Sequence, residues 1–249
     1  MLLATMPFVA AALLTITDPA GDTRGDGSYT SPPALVGGSE NSLDIRELRA
    51  ENVAGRVRIV VGLGGVANPW NAPSGWSSTL IDVFVKTSVG GEQGLADTGF
   101  VTPPGDGWQR HYQVSGFRTR AWHVVNGETQ EVSLATPAVR RGTEVSIDTD
   151  LPARSYSYWV TSRIYSPLTS SGFLTPRVAG GSSDLLVPRA GMPSPVDVLL
   201  VGDQARAYIT RILPPGGQLR DRRSTLLLIL AVLGVLAAVI ATFRAWRRT

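Results

Sequence analysis

The chain contains no cysteine among its 249 residues, and it has only two histidines. Without cysteine there is no disulfide, no thiolate metal site and no cysteine nucleophile. The two histidines, His111 and His123, have no acidic neighbour in a recognisable catalytic triad or metal motif. A G-x-S-x-G elbow and a phosphate-binding loop are also missing. These absences favour a protein that is not an enzyme.

An excess of charge of one sign is also missing from most of the chain. Three of the 23 basic residues follow residue 243, so the residues before them carry 20 basic and 20 acidic side chains. The net charge of +3 therefore comes from Arg244, Arg247 and Arg248. A nucleic-acid-binding domain needs a basic face on its folded part. The sequence therefore predicts no nucleic-acid partner.

One long hydrophobic run is present near the C-terminus, at residues 224–243, and it contains no charged residue. Its length matches a hydrocarbon core of about 30 Å at about 1.5 Å per residue. It predicts a single transmembrane helix, preceded by a juxtamembrane linker at residues 214–223 and followed by a basic tail at residues 244–249. Trp246 in that tail fits an interfacial anchor.

The N-terminus is also apolar and uncharged, from Leu2 to Ile16, but this run is short for a bilayer span. Ala10-Ala11-Ala12 offers the small residues of a cleavage site, which identifies residues 1–12 as a signal segment. A buried first strand is the alternative interpretation. Export would place the following domain outside the cell membrane and the C-terminus in the cytoplasm.

Between these ends, residues 13–213 show the period-two alternation of β-strands rather than a helical pattern. In one strand Val57, Ile59 and Val61 point one way while polar side chains point the other. Asn126-Gly127 predicts a tight hairpin because both residues tolerate positive φ. Many short strands between glycine and proline turns predict an all-β, immunoglobulin-like antiparallel sandwich. Further strands are predicted at residues 79–86, 156–165, 196–201 and 205–212.

An acidic, glycine-rich loop precedes the first long alternating segment. Asp18, Asp22 and Asp26 recur there at a spacing of four, among several glycines. Ca²⁺ takes roughly six to eight oxygen ligands from carboxylates, backbone carbonyls and water. The loop is therefore a candidate calcium site formed by these three aspartates. In the alternative interpretation, the aspartates cap turns through their own backbone.

Sugar binding requires exposed aromatic faces beside a few planar polar groups. Trp70 and Trp108 lie on loops rich in proline and glycine, with Asn68 and Arg110 near them in sequence. These four residues are the candidate ligand-binding residues. The alternative is that the tryptophans pack into the core, as most tryptophans do and as Trp159 is expected to do.

Several blocks of the chain resemble, in order, the C-terminal domain family of glucodextranase. Asp18-Pro19-Ala20-Gly21-Asp22 resembles the start of that family, and the segment from Asn68-Pro69-Trp70 to Ile81–Val85 resembles its most recognisable run. Tyr156–Val160 and Pro195–Leu199 resemble its last two strands. The family has a DOMON-like β-sandwich, similar to family 9 carbohydrate-binding modules. The resemblance therefore implies the same fold for this chain.

The resemblance also implies a function. Domains of this family are appended to polysaccharide-degrading enzymes and occur in cell-surface proteins, which implies a polysaccharide or cell-envelope glycan as the partner. It does not imply hydrolysis, because the catalytic domain of glucodextranase is a separate unit. The family often has a second acidic residue where this chain has Thr23-Arg24, which removes one charge from the candidate calcium site.

The sequence thus predicts a membrane-anchored, exterior, non-catalytic carbohydrate-binding module. Two other functions remain open at this point. One is a structural or assembly protein of the cell surface that binds protein partners, for which a large apolar patch on one sheet face would be typical. The other is a membrane-tethered glycan hydrolase, which requires clustered carboxylates in a cleft.

Overall fold

Antiparallel β-strands make up most of the described part of the protein. A computed structural model describes residues 11–218 and, beyond them, residues 231, 234 and 235. The chain divides into two compact units, one ending at Gln218 and the other beginning at Leu219. The prediction of an all-β protein is confirmed for the described residues.

The described residues form thirteen strands, one 3-10 helix and one α-helix of seven residues. The strands are β1 (Ala11–Thr17), β2 (Ile45–Val53), β3 (Arg56–Leu63), β4 (Thr79–Lys86), β5 (Gly94–Leu95), β6 (Phe100–Val101), β7 (Arg110–Val114), β8 (Thr119–Val125), β9 (Glu128–Val132), β10 (Val139–Arg141), β11 (Glu144–Pro152), β12 (Ser157–Ile164) and β13 (Asp197–Val198). The helices are the 3-10 turn Glu40–Ser42 and α1 (Gln204–Thr210).

Two main sheets pack as a sandwich. One has five strands in the order β1-β2-β3-β11-β10, and the other has six in the order β13-β12-β4-β7-β8-β9. The inner alternation of β3 is as predicted, because Val57, Ile59 and Val61 are all buried. Asn126 and Gly127 both have positive φ and join β8 to β9, which confirms the predicted hairpin.

The six-stranded sheet is buried on both of its faces at β4 and β12, whereas its edge strand β9 is mostly exposed. Every residue of β12 is buried, as is every residue of β4 except its last. One face lies against the five-stranded sheet. The other face is covered by loops and α1, in a cluster that includes Phe84, Trp159, Tyr208 and Leu213. The expectation that Trp159 belongs to the core is confirmed, and its indole Nε1 donates to the carbonyl of Leu213 at 2.8 Å.

The last of the predicted strands, at residues 205–212, is wrong. Residues 205–212 do not form a strand, because α1 occupies most of this segment. Asp203 caps the helix by accepting a hydrogen bond from the amide of Arg206 at 3.4 Å, and Arg211 ends it with a φ of 58°. Alternation and helical periodicity overlap over so short a segment. The Asp203 cap favours the helix.

A charged pair lies buried on the loop-covered face of the six-stranded sheet. Asp82 and Arg163 are both fully buried, and their carboxylate and guanidinium groups approach to 2.6 Å. His111 Nε2 lies 2.9 Å from the other carboxylate oxygen of Asp82, which also accepts a hydrogen bond from Gln113 at 3.0 Å. Burial alone would raise the pKa of Asp82, but the charge of Arg163 and the hydrogen bonds from His111 and Gln113 lower it. The pair therefore links strands β4, β7 and β12.

Some predicted segments lie outside the described residues. The predicted transmembrane helix at residues 224–243 does so apart from residues 231, 234 and 235, which are helical, and the basic tail does so entirely. Residues 1–10 of the predicted signal segment lie outside as well, whereas Ala11 and Ala12 belong to β1. Among the described residues, no helix has the length and apolar character that crossing a bilayer requires.

We expect Arg163→Leu to destabilise the fold by about 3–5 kcal/mol, because it leaves the buried carboxylate of Asp82 without its cation. The matched control is Arg58→Leu, which removes a partly exposed pair with Asp148 and should cost less than about 1 kcal/mol. The measurement is denaturant unfolding of the full chain. Equal losses in the two variants would contradict the structural role of the buried pair.

Candidate functional site

Four carboxylates converge where the edges of the two sheets meet. Asp18 follows β1, Asp22 lies in the glycine-rich loop, Asp44 precedes β2, and Asp197 begins β13. Carboxylate oxygens of Asp18, Asp22 and Asp197 all lie within 4.8 Å of one another. Asp44 adjoins this group, because its Oδ2 accepts a hydrogen bond from the amide of Gly21 at 2.9 Å. We call these four residues the carboxylate cluster.

Backbone amides hold the cluster in place. Asp197 lies in the six-stranded sheet, yet its Oδ2 accepts a hydrogen bond from the amide of Ile45 in the five-stranded sheet at 2.7 Å. Asp18 Oδ1 accepts from the amide of Leu200, just beyond β13, at 2.7 Å. Both carboxylates therefore join segments that are distant in sequence.

The glycine-rich loop is fixed from several sides. Gly25 has a φ of 60°, and a Cβ there would lie 2.5 Å from the ring of Tyr29, so only glycine fits without displacing the ring. Its amide donates to the carbonyl of Val196 at 2.9 Å. From α1, the Gln204 side chain donates to the carbonyls of Asp22 and Gly25 at 2.6 and 2.9 Å. The loop is thereby docked on the β13 segment.

The cluster has more negative charge than its surroundings neutralise. Arg46 is the one cation in an ion pair with it among the described residues, at 2.6 Å from Asp44. Burial raises the pKa of Asp18 to about 8, and the neighbouring Asp22 adds to the shift. Burial and the charges of Asp18 and Asp22 also raise the pKa of Asp197. Ionising the whole cluster is therefore unfavourable unless a cation accompanies it.

The donors of the cluster fit a hard cation. One carboxylate oxygen each of Asp18, Asp22 and Asp44 is buried without a hydrogen-bond partner. Such oxygens are the ligands that Ca²⁺ prefers, and Mg²⁺ also takes carboxylates but demands stricter octahedral geometry. The residues present therefore match a calcium site in charge, ligand type and unused oxygens.

The cluster differs from the predicted calcium site because it lacks Asp26 and includes Asp44 and Asp197. Asp18 and Asp22 take part as predicted, but Asp26 instead faces Arg189 at 3.4 Å and the hydroxyl of Ser28. Asp197 stands in its place. Sequence spacing pointed to Asp26 because it is local, whereas the sheet brings Asp197 to the loop from far along the chain.

Two of the predicted ligand-binding residues serve the fold instead. Trp108 is only 1% exposed, its Nε1 donates to the carbonyl of Gly94 at 2.8 Å, and its ring packs against Phe84. It cannot offer a face to a sugar, so this prediction is corrected. Asn68 Oδ1 accepts from the amide of Ala72 at 2.8 Å and from the hydroxyl of Ser77 at 2.7 Å. It therefore holds its own loop together.

The other two predicted ligand-binding residues lie at opposite ends of the sheet. Arg110 begins β7 and, by the alternation of the strand, shares with Tyr112 the face that lies against the other sheet. Trp70 is half-buried, and its Nε1 donates to the carbonyl of Tyr165 beyond the far end of β12, at 3.3 Å. Since a strand rises about 3.4 Å per residue, the length of β7 separates Arg110 from Trp70. The four residues do not form one site.

Trp70 belongs to an aromatic surface that the sequence patterns did not indicate. Phe117 is 45% exposed at the tip of the turn between β7 and β8, and its ring stacks on that of Tyr165 at 5.4 Å. Ser115 stiffens this turn, because its Oγ accepts hydrogen bonds from the amides of Phe117 and Arg118 at 3.3 Å. We call Trp70, Phe117 and Tyr165 the aromatic platform. Only their contact across three loops reveals it.

A family model described as the SLH-like C-terminal binding module of glucodextranase matches residues 13–160, more than half of the chain. The chain belongs to this family. The match includes three members of the carboxylate cluster and two members of the aromatic platform, and it ends before Tyr165 and Asp197. No curated protein matches the chain. The family description is that of a binding module of glucodextranase and does not name a catalytic domain.

The buried carboxylates of this glucodextranase-type module predict a particular dependence of stability on pH. Burial raises the pKa of Asp18 to about 8 in the folded protein, whereas the ordinary pKa of an aspartate is 3.8. Between these values the folded state binds a proton that the unfolded chain has released, so the free energy of unfolding falls as pH rises. Burial lowers the pKa of His111 and His123 below 6.5, which has the opposite effect at lower pH.

We therefore expect the melting temperature of the full chain, in a chelating buffer, to fall from about pH 7 to about pH 9. Asp18→Asn removes one titrating group and should flatten this decline. Asp148→Asn, in a partly exposed ion pair of β11, is the control and should leave the slope unchanged. If Asp18→Asn melts with the same slope as the unaltered protein, the assignment of this carboxyl is wrong.

Proposed function

We propose that this chain is an extracytoplasmic glycan-binding module that contacts its ligand through the aromatic platform. The observation that carries this proposal is the exposed stack of Phe117 on Tyr165, held by a stiff turn in a protein of a binding-module family. Large apolar side chains at exposed positions mark ligand or partner sites when several lie together. Residues 224–243 would anchor the module in the cell membrane, with its N-terminal domain outside.

The platform has the parts that a sugar requires. Aromatic rings provide a flat apolar face at low conformational cost, and polar groups around them set orientation. Trp70 Nε1 donates to the backbone carbonyl of Tyr165, and this hydrogen bond helps to preorganise the platform. Its residues come from three loops at one end of the six-stranded sheet. A short stretch of polysaccharide could therefore lie across several rings at once.

We further propose that the carboxylate cluster binds Ca²⁺ in a structural role. Asp18, Asp22, Asp44 and Asp197 would hold the ion through their carboxylates. Three buried oxygens without hydrogen-bond partners support this assignment. The ion would supply the positive charge that Arg46 alone does not provide. It would fix the glycine-rich loop to β13.

Phe117→Ala should weaken binding to the module's polysaccharide about tenfold, because the variant loses the exposed half of the ring stack. The turn itself should persist, since Ser115 holds it through backbone amides. The measurement is affinity electrophoresis of the full chain in detergent through gels that contain candidate polysaccharides.

Val125→Ala is the matched control for Phe117→Ala. Val125 is 44% exposed at the far hairpin of the same sheet, so both variants remove a similarly exposed apolar side chain. Retardation that survives Phe117→Ala, or that is lost equally in Val125→Ala, would refute the platform as the contact surface.

Millimolar Ca²⁺ should raise the melting temperature of the chain, because an ion that binds only the folded state stabilises it by about 2.7 kcal/mol at 100 times its Kd. The gain should be larger at pH 8 than at pH 6, since protons compete for the same carboxylates. Asp22→Asn should abolish most of it. Asp26→Asn should leave it intact, because Asp26 lies outside the cluster.

An equal loss in Asp22→Asn and Asp26→Asn would contradict the proposed ligand set. The absence of any calcium effect at pH 8 would contradict the calcium site as a whole.

A further inference from the structure

The loops around the aromatic platform contain no acidic residue. Four segments meet there, at residues 66–78, 115–119, 133–143 and 165–183, and none of them contains Asp or Glu. Hydrogen bonds link three of them: Ser74 Oγ donates to the carbonyl of Gly116 at 2.6 Å, and the amide of Ala138 donates to Thr119 Oγ1 at 2.9 Å. The acidic and basic residues of the domain are balanced in number, but the loops around the platform carry no negatively charged side chain.

Arg118 places a positive charge at the edge of the platform. It is exposed, and it has no ion-pair partner among the described residues. A Cβ on Gly172 would lie 3.8 Å from Arg118 Nη2 and 4.0 Å from a ring carbon of Tyr165, so the guanidinium and that ring both adjoin Gly172. The carboxylate of Glu131, on β9, is already held by Arg120 through two hydrogen bonds of 2.8 and 2.6 Å.

Arg140 contributes a second charge on the other side of the Phe117 turn. Its Nε donates to the carbonyl of Ser74 at 3.1 Å, and its Nη1 donates to the carbonyl of Gly142 at 2.7 Å. Both acceptors are neutral, so the charge of the guanidinium is not cancelled, and no carboxylate among residues 11–218 pairs with it. Ser74 connects this arginine to the turn through Gly116.

From this arrangement we infer that the aromatic platform takes an acidic glycan, with Arg118 and Arg140 binding its anionic groups. This inference rests on the proposed function and specifies its ligand class. Guanidinium groups bind carboxylates and phosphates through paired N–H donors, and a glycan that bears either group would suit them. The rings would contact the sugar faces while the two arginines select for charge. A neutral glycan would leave both cations without partners.

The test compares four probes on the full chain in detergent: dextran, polygalacturonate, a poly(glycerol phosphate) wall polymer and single-stranded DNA. We expect retardation by one or both acidic glycans at low salt, and much less by dextran. Arg118→Gln and Arg140→Gln should each weaken that binding about tenfold. Added salt should weaken this binding more in the unaltered protein than in the variant that combines both substitutions. Whether polygalacturonate or the phosphate polymer binds identifies carboxylate or phosphate as the anion.

Arg206→Gln is the matched control, because Arg206 is exposed on α1, away from the platform loops. If dextran binds as tightly as the acidic glycans and only Phe117→Ala weakens it, the acidic specificity is wrong while the proposed function stands. If Arg206→Gln weakens binding as much as Arg118→Gln, the effect is general charge and the inference fails. Equal binding of DNA through the same arginines overturns the glycan assignment, and binding of no probe overturns both proposals.

Discussion

The relation between the two sheets depends on carboxylates that lie where their edges meet. Asp197 belongs to one sheet and accepts an amide hydrogen bond from Ile45 of the other, while Asp18 ties the end of β1 to Leu200. Buried carboxylates raise one another's pKa, so this junction carries an electrostatic cost. A bound cation would offset the repulsion between these carboxylates by attracting each of them. The same residues that join the sheets thus make the stability of the junction depend on pH.

The carboxylate cluster and the aromatic platform consist of different residues of this fold, although Asp197 pairs with Ser162, three residues before Tyr165. The carboxylate cluster fixes the glycine-rich loop and the β13 segment, and its amide hydrogen bonds are internal. The aromatic platform instead lies on loops that follow β7 and β12, where side chains can project without disturbing the strands. Because β12 is buried along its whole length, it is a rigid base for Tyr165. Binding residues on such a base lose little freedom when a ligand arrives.

Local patterns predicted the strands well, because alternation is a property of neighbouring residues. The Val57–Val61 strand and the Asn126-Gly127 hairpin are examples. The candidate site was predicted only in part. Asp197 lies near Asp18 because β13, which comes late in the chain, forms an edge of the six-stranded sheet. No spacing within residues 18–29 could indicate this contact. For α1, a capped segment of seven residues fits a strand pattern and a helix pattern equally well.

The tryptophans show why residue type alone did not locate the aromatic platform. Trp108 and Trp70 both occupy loops rich in glycine and proline, yet one is enclosed by Phe84 while the other supports an exposed ring. The net charge does not reveal how charge is distributed over the domain. The 20 acidic and 20 basic residues before residue 244 suggest a neutral surface. Folding gathers acid-free loops at one end of the six-stranded sheet and buried carboxylates at the junction of the two sheets. A neutral composition can therefore hold loops without acidic residues and a cluster of buried carboxylates in the same domain.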